Sequence, residues 1–227
     1  MMDRNALKRA AAERAVALVQ DGMVLGLGSG STAEIAVHLL AERVAAGLQI
    51  VGIPTSERTA ALARQLGIPL TSLDTHDRID LAIDGADQVE RGSLNLVKGL
   101  GGALLREKIV AASATQLVIV VDHSKLVPRL GGQTALPVEI AAFGWRSTLR
   151  RLQAAGHRPV LRQADGQPFI TDGGNRIADC AIGPVADARK LDMELHAVPG
   201  VLQTGLFIGM TSKVIAAGPN GVEELAP

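Results

Sequence analysis

The chain has almost no aromatic residues: three Phe, one Trp and no Tyr among 227 residues, or 2% aromatic. Base stacking needs aromatic platforms, usually set in a basic groove, and here 23 basic residues are balanced by 23 acidic ones. A nucleic-acid partner is therefore not expected. Cysteine is nearly absent as well. Cys180 alone cannot form an internal disulfide, and it fits a reducing compartment. It lies in the apolar stretch Asp179-Cys180-Ala181-Ile182, where a small buried thiol is the expected reading. The five histidines, His38, His76, His123, His157 and His196, include no pair at i, i+4, so a zinc site on one helix face is not indicated. No apolar run approaches the roughly 20 residues that span a bilayer. The start, Met1-Met2-Asp3-Arg4-Asn5, leads into an Ala-rich charged helix instead of a secretory apolar core. A cytoplasmic protein without a membrane partner is the expectation.

What the chain does have is a large apolar share, 47%, enough for a substantial core. Apolar residues recur at helical spacing over 3–20, with Gly22 as a stop, and again from Ser31 to about Ala46 through Ile35, Leu39, Leu40 and Val44. Between and beyond them lie short, wholly apolar strands at 23–27 and 117–121 and largely apolar strands at 48–53 and 79–83, alternating with helices 56–66 and 102–113. Strands apolar on both sides, separated by helices, predict an α/β fold: an open, mostly parallel, Rossmann-like sheet with helices on both faces. Residues 130–205 change rhythm. They read as strand 136–140, helix 144–155, strand 159–163, strand 176–182, helix 187–196 and strand 201–208. This βαββαβ order is the ferredoxin-like split unit, a smaller α+β domain inserted between 1–129 and 206–227, where the main domain resumes with strand 213–216.

Four segments could carry chemistry. Gly26-Leu27-Gly28-Ser29-Gly30-Ser31-Thr32-Ala33 joins the first strand to a helix, where glycines and unpaired N–H groups suit an anion such as phosphate. Ser31 through Glu34 also reads as a capping box, which needs no ligand. The segment is not a dinucleotide fingerprint, because Ser31 stands where the third glycine would be and Ile53-Pro54-Thr55-Ser56 offers no acid for a ribose. It lacks the Gly-Lys of a P-loop, and neither Ser29 nor Ser31 has glycines two residues away on both sides, as a nucleophile elbow requires. Asp84-Gly85-Ala86-Asp87 places two carboxylates just past an apolar strand, where they could serve a ligand, hold magnesium or simply make a turn. In Lys98-Gly99-Leu100-Gly101-Gly102 and the helix after it, Glu107 shares a face with Ala103, Val110, Ala111 and Ala114. A carboxylate in such surroundings is suited to proton transfer. Lys125, in Asp122-His123-Ser124-Lys125, follows a further apolar strand at the same sheet edge.

These four segments, in this order, closely resemble the A-type ribose-5-phosphate isomerases, along with Pro199-Gly200-Val201 and Gly205-Leu206-Phe207 farther on. The resemblance implies a metal-independent, cofactor-free isomerase acting on a sugar phosphate, in a homodimer or tetramer. It implies that Ser29, Gly30, Ser31 and Thr32 line the substrate pocket with Asp84, Gly85, Ala86 and Asp87, the loop Lys98, Gly99, Leu100 and Gly101, and Lys125. Lys8 would approach the phosphate, Glu107 would transfer the proton, Lys98 would stabilise the enediolate, and Asp84 or Asp87 would assist ring opening. Two positions depart from the family pattern: Ser29 stands for a threonine and Leu100 for a glycine of some members. Two other functions fit parts of the pattern, a sugar-phosphate sensor domain and an enzyme transferring acyl groups or coenzyme A.

Overall fold

A computed structural model describes residues 4–227, and the expected helix start at Asp3 lies outside the described residues. The chain divides into two compact units, one of residues 1–86, 106–126 and 209–227, the other of 87–105 and 127–208.

The first unit contains a six-stranded sheet in the order Gly221–Leu225, Lys213–Gly218, Ala114–Asp122, Ile79–Asp84, Val24–Leu27, Val51–Pro54. Five strands run parallel and the outermost, Gly221–Leu225, is antiparallel to its neighbour. The interior strands are apolar because both faces are covered. On one face, Leu25, Leu27, Leu81, Ile83, Val118 and Val120 pack against helices α1 (Arg4–Val16) and α2 (Ser31–Ala45), with Ala63 of α3 (Glu57–Gln65) in the same core. On the other face lies α4 (Leu104–Ser113). A Cβ on Gly26 would meet Val110 of α4 and Ala82 of the next strand, each at 2.7 Å, so this glycine sets how closely α4 approaches the sheet.

The second unit holds the expected βαββαβ order. Strands Leu136–Ile140, Pro159–Leu161, Arg176–Cys180 and Val201–Thr204 are joined with α5 (Trp145–Ala154) and α6 (Ala188–His196) in an antiparallel sheet. Leu136, Val138, Ile140, Ala178 and Cys180 face Leu152 of α5 and Leu195 of α6 in its core. The strand expected over 201–208 breaks into two pieces. Val201–Thr204 stays in this sheet, whereas Leu206–Phe207 pairs with Leu96–Val97 in a second small sheet that also contains Gln88–Glu90 and Leu126–Val127. The break falls at Gly205, whose N–H donates to the Pro137 carbonyl while the Lys98 N–H donates to the Gly205 carbonyl. The helix expected from 102 begins at Leu104, and the strand expected over 176–182 ends at Cys180.

Candidate active site

At the carboxyl edge of the parallel sheet, the turn between Val24–Leu27 and α2 is fixed by main chain and hydroxyls. The buried carboxylate of Asp84, 3% exposed, accepts from the Ser29 N–H at 3.1 Å and the Gly85 N–H at 2.7 Å. Gly28 runs directly over it: a Cβ there would lie 2.3 Å from Asp84 Oδ1 and 2.6 Å from Asp84 Cα. Ser29 Oγ lies 2.7 Å from Thr55 Oγ1, 2.8 Å from Ser56 Oγ and 3.1 Å from Thr59 Oγ1. Thr59 also donates to the Gly28 carbonyl, and Thr55 to that of Leu27.

The capping box read from Ser31 to Glu34 is not formed. Gly30, at φ 91°, is the N-cap of α2, and no side chain caps this helix start. Serine at the first helical position points its hydroxyl elsewhere: Lys8 Nζ on α1 donates to Ser31 Oγ at 2.8 Å. A helix N-terminus with an ammonium beside it is an anion cradle in charge and in hydrogen-bond donors.

Glu107 is 5% exposed and follows the buried stripe Leu104, Val110 and Ala111 of α4, the burial expected for it. The neighbouring Arg106 Nη1 donates to Glu57 Oε1 at 2.8 Å, at the start of α3, and brings this end of α4 to the sheet edge that carries Ser56 and Ser29. The Arg106 hydrogen bond, aided by its charge, holds Glu57 below the usual carboxylate range. Lys125 closes a short turn, His123–Lys125, that Asp122 caps by accepting from the Ser124 N–H at 3.0 Å. Lys125 is half-buried beyond the end of the strand paired to Ile79–Asp84, and His123 is exposed.

In the second unit, Lys98 is 3% exposed, with Nζ 5.6 Å from the centroid of Phe207. Asp87 accepts from the Leu100 N–H at 2.9 Å, which ties the two halves of the Asp87 to Gly101 segment together. Leu100 itself is 46% exposed. Asp84 and Asp87 thus each commit an oxygen to main-chain amides. Among the described residues no group of three or more His, Cys, Asp and Glu could hold a metal ion, and no helix is long and apolar enough to cross a membrane.

Thr59 and the support of the Lys98 loop escaped the sequence reading. Ser56 had a signal, since it accepts from the Thr59 N–H as the N-cap of α3. Thr59 had none, because its role lies in contacts to Gly28 and Ser29, about thirty residues away in the chain.

An open α/β sheet with a helix-start anion cradle and a buried acid at its carboxyl edge has the form of a small-molecule enzyme. Comparison with known proteins narrows the class. The family model described as ribose 5-phosphate isomerase A (phosphoriboisomerase A) matches residues 51–221. The chain is 56% identical over 226 residues to a ribose-5-phosphate isomerase A of Gloeobacter violaceus, covering 100% of this chain and 98% of that protein. The structure of ribose 5-phosphate isomerase A from Methanocaldococcus jannaschii superposes with a TM-score of 0.94 at 41% identity, covering 99% of this chain and 100% of that one. A D-ribose-5-phosphate isomerase in complex with phospho-erythronic acid superposes at 0.95 and 36% identity, with both chains fully covered. The chain belongs to the ribose 5-phosphate isomerase A family.

Proposed function

We propose that the chain interconverts D-ribose 5-phosphate and D-ribulose 5-phosphate through an enediolate, with Glu107 as the proton-transferring group. The observation that carries this reading is a carboxylate 5% exposed on an apolar stripe of α4, in a family of that activity. Moving the carbonyl from C1 to C2 takes a proton from C2 and returns one to C1, and a single carboxylate on one face of the substrate serves both steps. The substrate phosphate is assigned to Ser29, Gly30, Ser31 and Thr32 with Lys8; the complex with phospho-erythronic acid described above, a phosphorylated sugar acid, supports a ligand of this class. Gripping the phosphate positions the reacting carbons. Negative charge on the enediolate calls for a fixed cation, a role assigned to Lys98. Asp84 or Asp87 assists ring opening, Gly85, Ala86, Gly99, Leu100 and Gly101 line the substrate, and Lys125 is a further contact.

We also propose that residues 130–205 form an inserted domain, that the enzyme is cytoplasmic and that it works as a homodimer or tetramer. The antiparallel sheet order, the single cysteine and the family resemblance support these readings in turn. Turnover of ribose 5-phosphate in excess EDTA tests the reaction: undiminished isomerisation is expected, whereas loss on chelation would assign Asp84 and Asp87 to a magnesium ion.

A further inference from the structure

Lys98 is held in a glycine-rich loop, and such a loop has little side-chain packing of its own to fix it. Beside the Lys98 N–H bond to the Gly205 carbonyl, support comes from a strand-end residue more than sixty positions away. Arg162 follows strand Pro159–Leu161 and is 12% exposed. Its Nη1 donates to the carbonyls of Gly99 at 2.8 Å and Leu100 at 2.9 Å. Its Nε and Nη2 form a bidentate pair with Asp179 on the neighbouring strand, at 2.9 and 2.5 Å. The guanidinium thereby uses four of its five N–H donors, two on the loop and two on the carboxylate. Its carbon also lies 5.9 Å from the centroid of Phe169, whose ring fills the space that a side chain at Gly102 would need. On the opposite side of the same peptide units, Asp87 takes the Leu100 N–H. The loop is clamped by its carbonyls and by its amide together.

We infer that Arg162, oriented by Asp179, is a positioning residue for the isomerase reaction: it fixes the carbonyls of Gly99 and Leu100 and so the placement of Lys98. This rests on the assignment of Lys98 as the cation that stabilises the enediolate. A lysine at 162 cannot reproduce the function, because an ammonium lacks the planar fork that reaches a carboxylate and two carbonyls at once. A neutral side chain leaves the carbonyls without their donors and lets the loop shift, and a displacement of about 1 Å at a reacting centre costs about 100-fold in rate. The phosphate cradle belongs to the other unit and keeps its own supports, so the loss falls on kcat and leaves KM nearly unchanged.

The test is a double-mutant cycle between R162M and K98M, read as kcat and KM for ribose 5-phosphate, with thermal unfolding measured in parallel. R162M is expected to lower kcat about 100-fold with KM within about threefold, R162K to remain about tenfold or more below the parent enzyme, and R162M to add less than about twofold once K98M is present. If R162M does not fold, R162K and D179N carry the same cycle. Wild-type kcat in the Arg162 variants, or the full loss repeated in the K98M background, overturns the positioning role while leaving Lys98 in place. A K98M enzyme with unchanged kcat removes the Lys98 assignment itself, and this inference with it.

Discussion

The turn at Gly28 to Thr32 and the loop at Lys98 to Gly101 are both glycine-rich, yet they are held in place by different means. In the first, the Asp84 carboxylate accepts the Ser29 amide, the Thr59 hydroxyl donates to the Gly28 carbonyl, other hydroxyls surround Ser29, and Gly28 lies so close over Asp84 that no side chain fits. The second is clamped by ions, with Asp87 on its amide and the Arg162–Asp179 pair on its carbonyls. An anion cradle works through main-chain N–H groups, so its support needs only to keep the backbone still. A loop that presents a buried ammonium must be held against the drift of a long, flexible side chain, and bidentate charge-assisted bonds do this with more geometric precision.

The most damaging way to break the first arrangement is Gly28→Ala. The added methyl would overlap Asp84, so the variant is expected to lose about 1–3 kcal/mol in urea unfolding and about 100-fold or more in kcat/KM. A fully active Gly28→Ala enzyme would mean that the turn is not held against Asp84. Thr59→Val removes the hydroxyl that reaches Gly28, Ser29 and Ser56. A cost of about 1–3 kcal/mol is expected from the unsatisfied buried groups, with KM rising more than kcat falls. An unchanged KM would separate the hydroxyl cluster from substrate binding.

The second arrangement can be probed from beneath, at Cys180, next to Asp179 on the same strand. Burial first, and the Asp179 charge second, push this thiol from 9.0 up to about 12. A folded-state value above the unfolded one means that the stability it contributes is complete below about pH 9 and is lost as pH climbs toward 12. The smallest effect is therefore expected here: folded protein resists iodoacetamide at pH 8 while urea-unfolded protein reacts, and above pH 9 Cys180→Ala loses less stability than the parent. Rapid alkylation of folded protein would show that the strand under Arg162 opens readily.

Much of this was legible in the sequence where the physics is local. Leu25 to Leu27, Leu81 to Ile83 and Leu117 to Val121 are apolar throughout because helices cover both faces of their sheet, and that pattern reads directly as a parallel α/β core. Glu107 was legible because helical spacing alone puts it on the stripe of Val110 and Ala111. Strands of two residues, Leu96–Val97 and Leu206–Phe207, are too short to show any period. The edge strand Gly221–Leu225 is largely exposed and gives no apolar signal. The false capping box came from reading Ser31 as the cap when Gly30, one residue earlier, ends the extended chain. Arg162 was out of reach for another reason: its four bonds join residues that only the folded sheet brings together.

Proton transfer by Glu107 is the central proposed step, and its direct measurement is Glu107→Gln with ribose 5-phosphate in deuterium oxide, following both ribulose 5-phosphate and deuterium at C2 by NMR. Amide for carboxylate conserves the shape of a buried side chain while removing its capacity to take a proton. The variant is expected to unfold at the parent temperature, to bind substrate, and to lose about 100- to 10,000-fold in turnover with no exchange at C2 on the time scale of the parent enzyme. Turnover within about tenfold of the parent, or C2 exchange at an undiminished rate, would contradict proton transfer by this carboxylate.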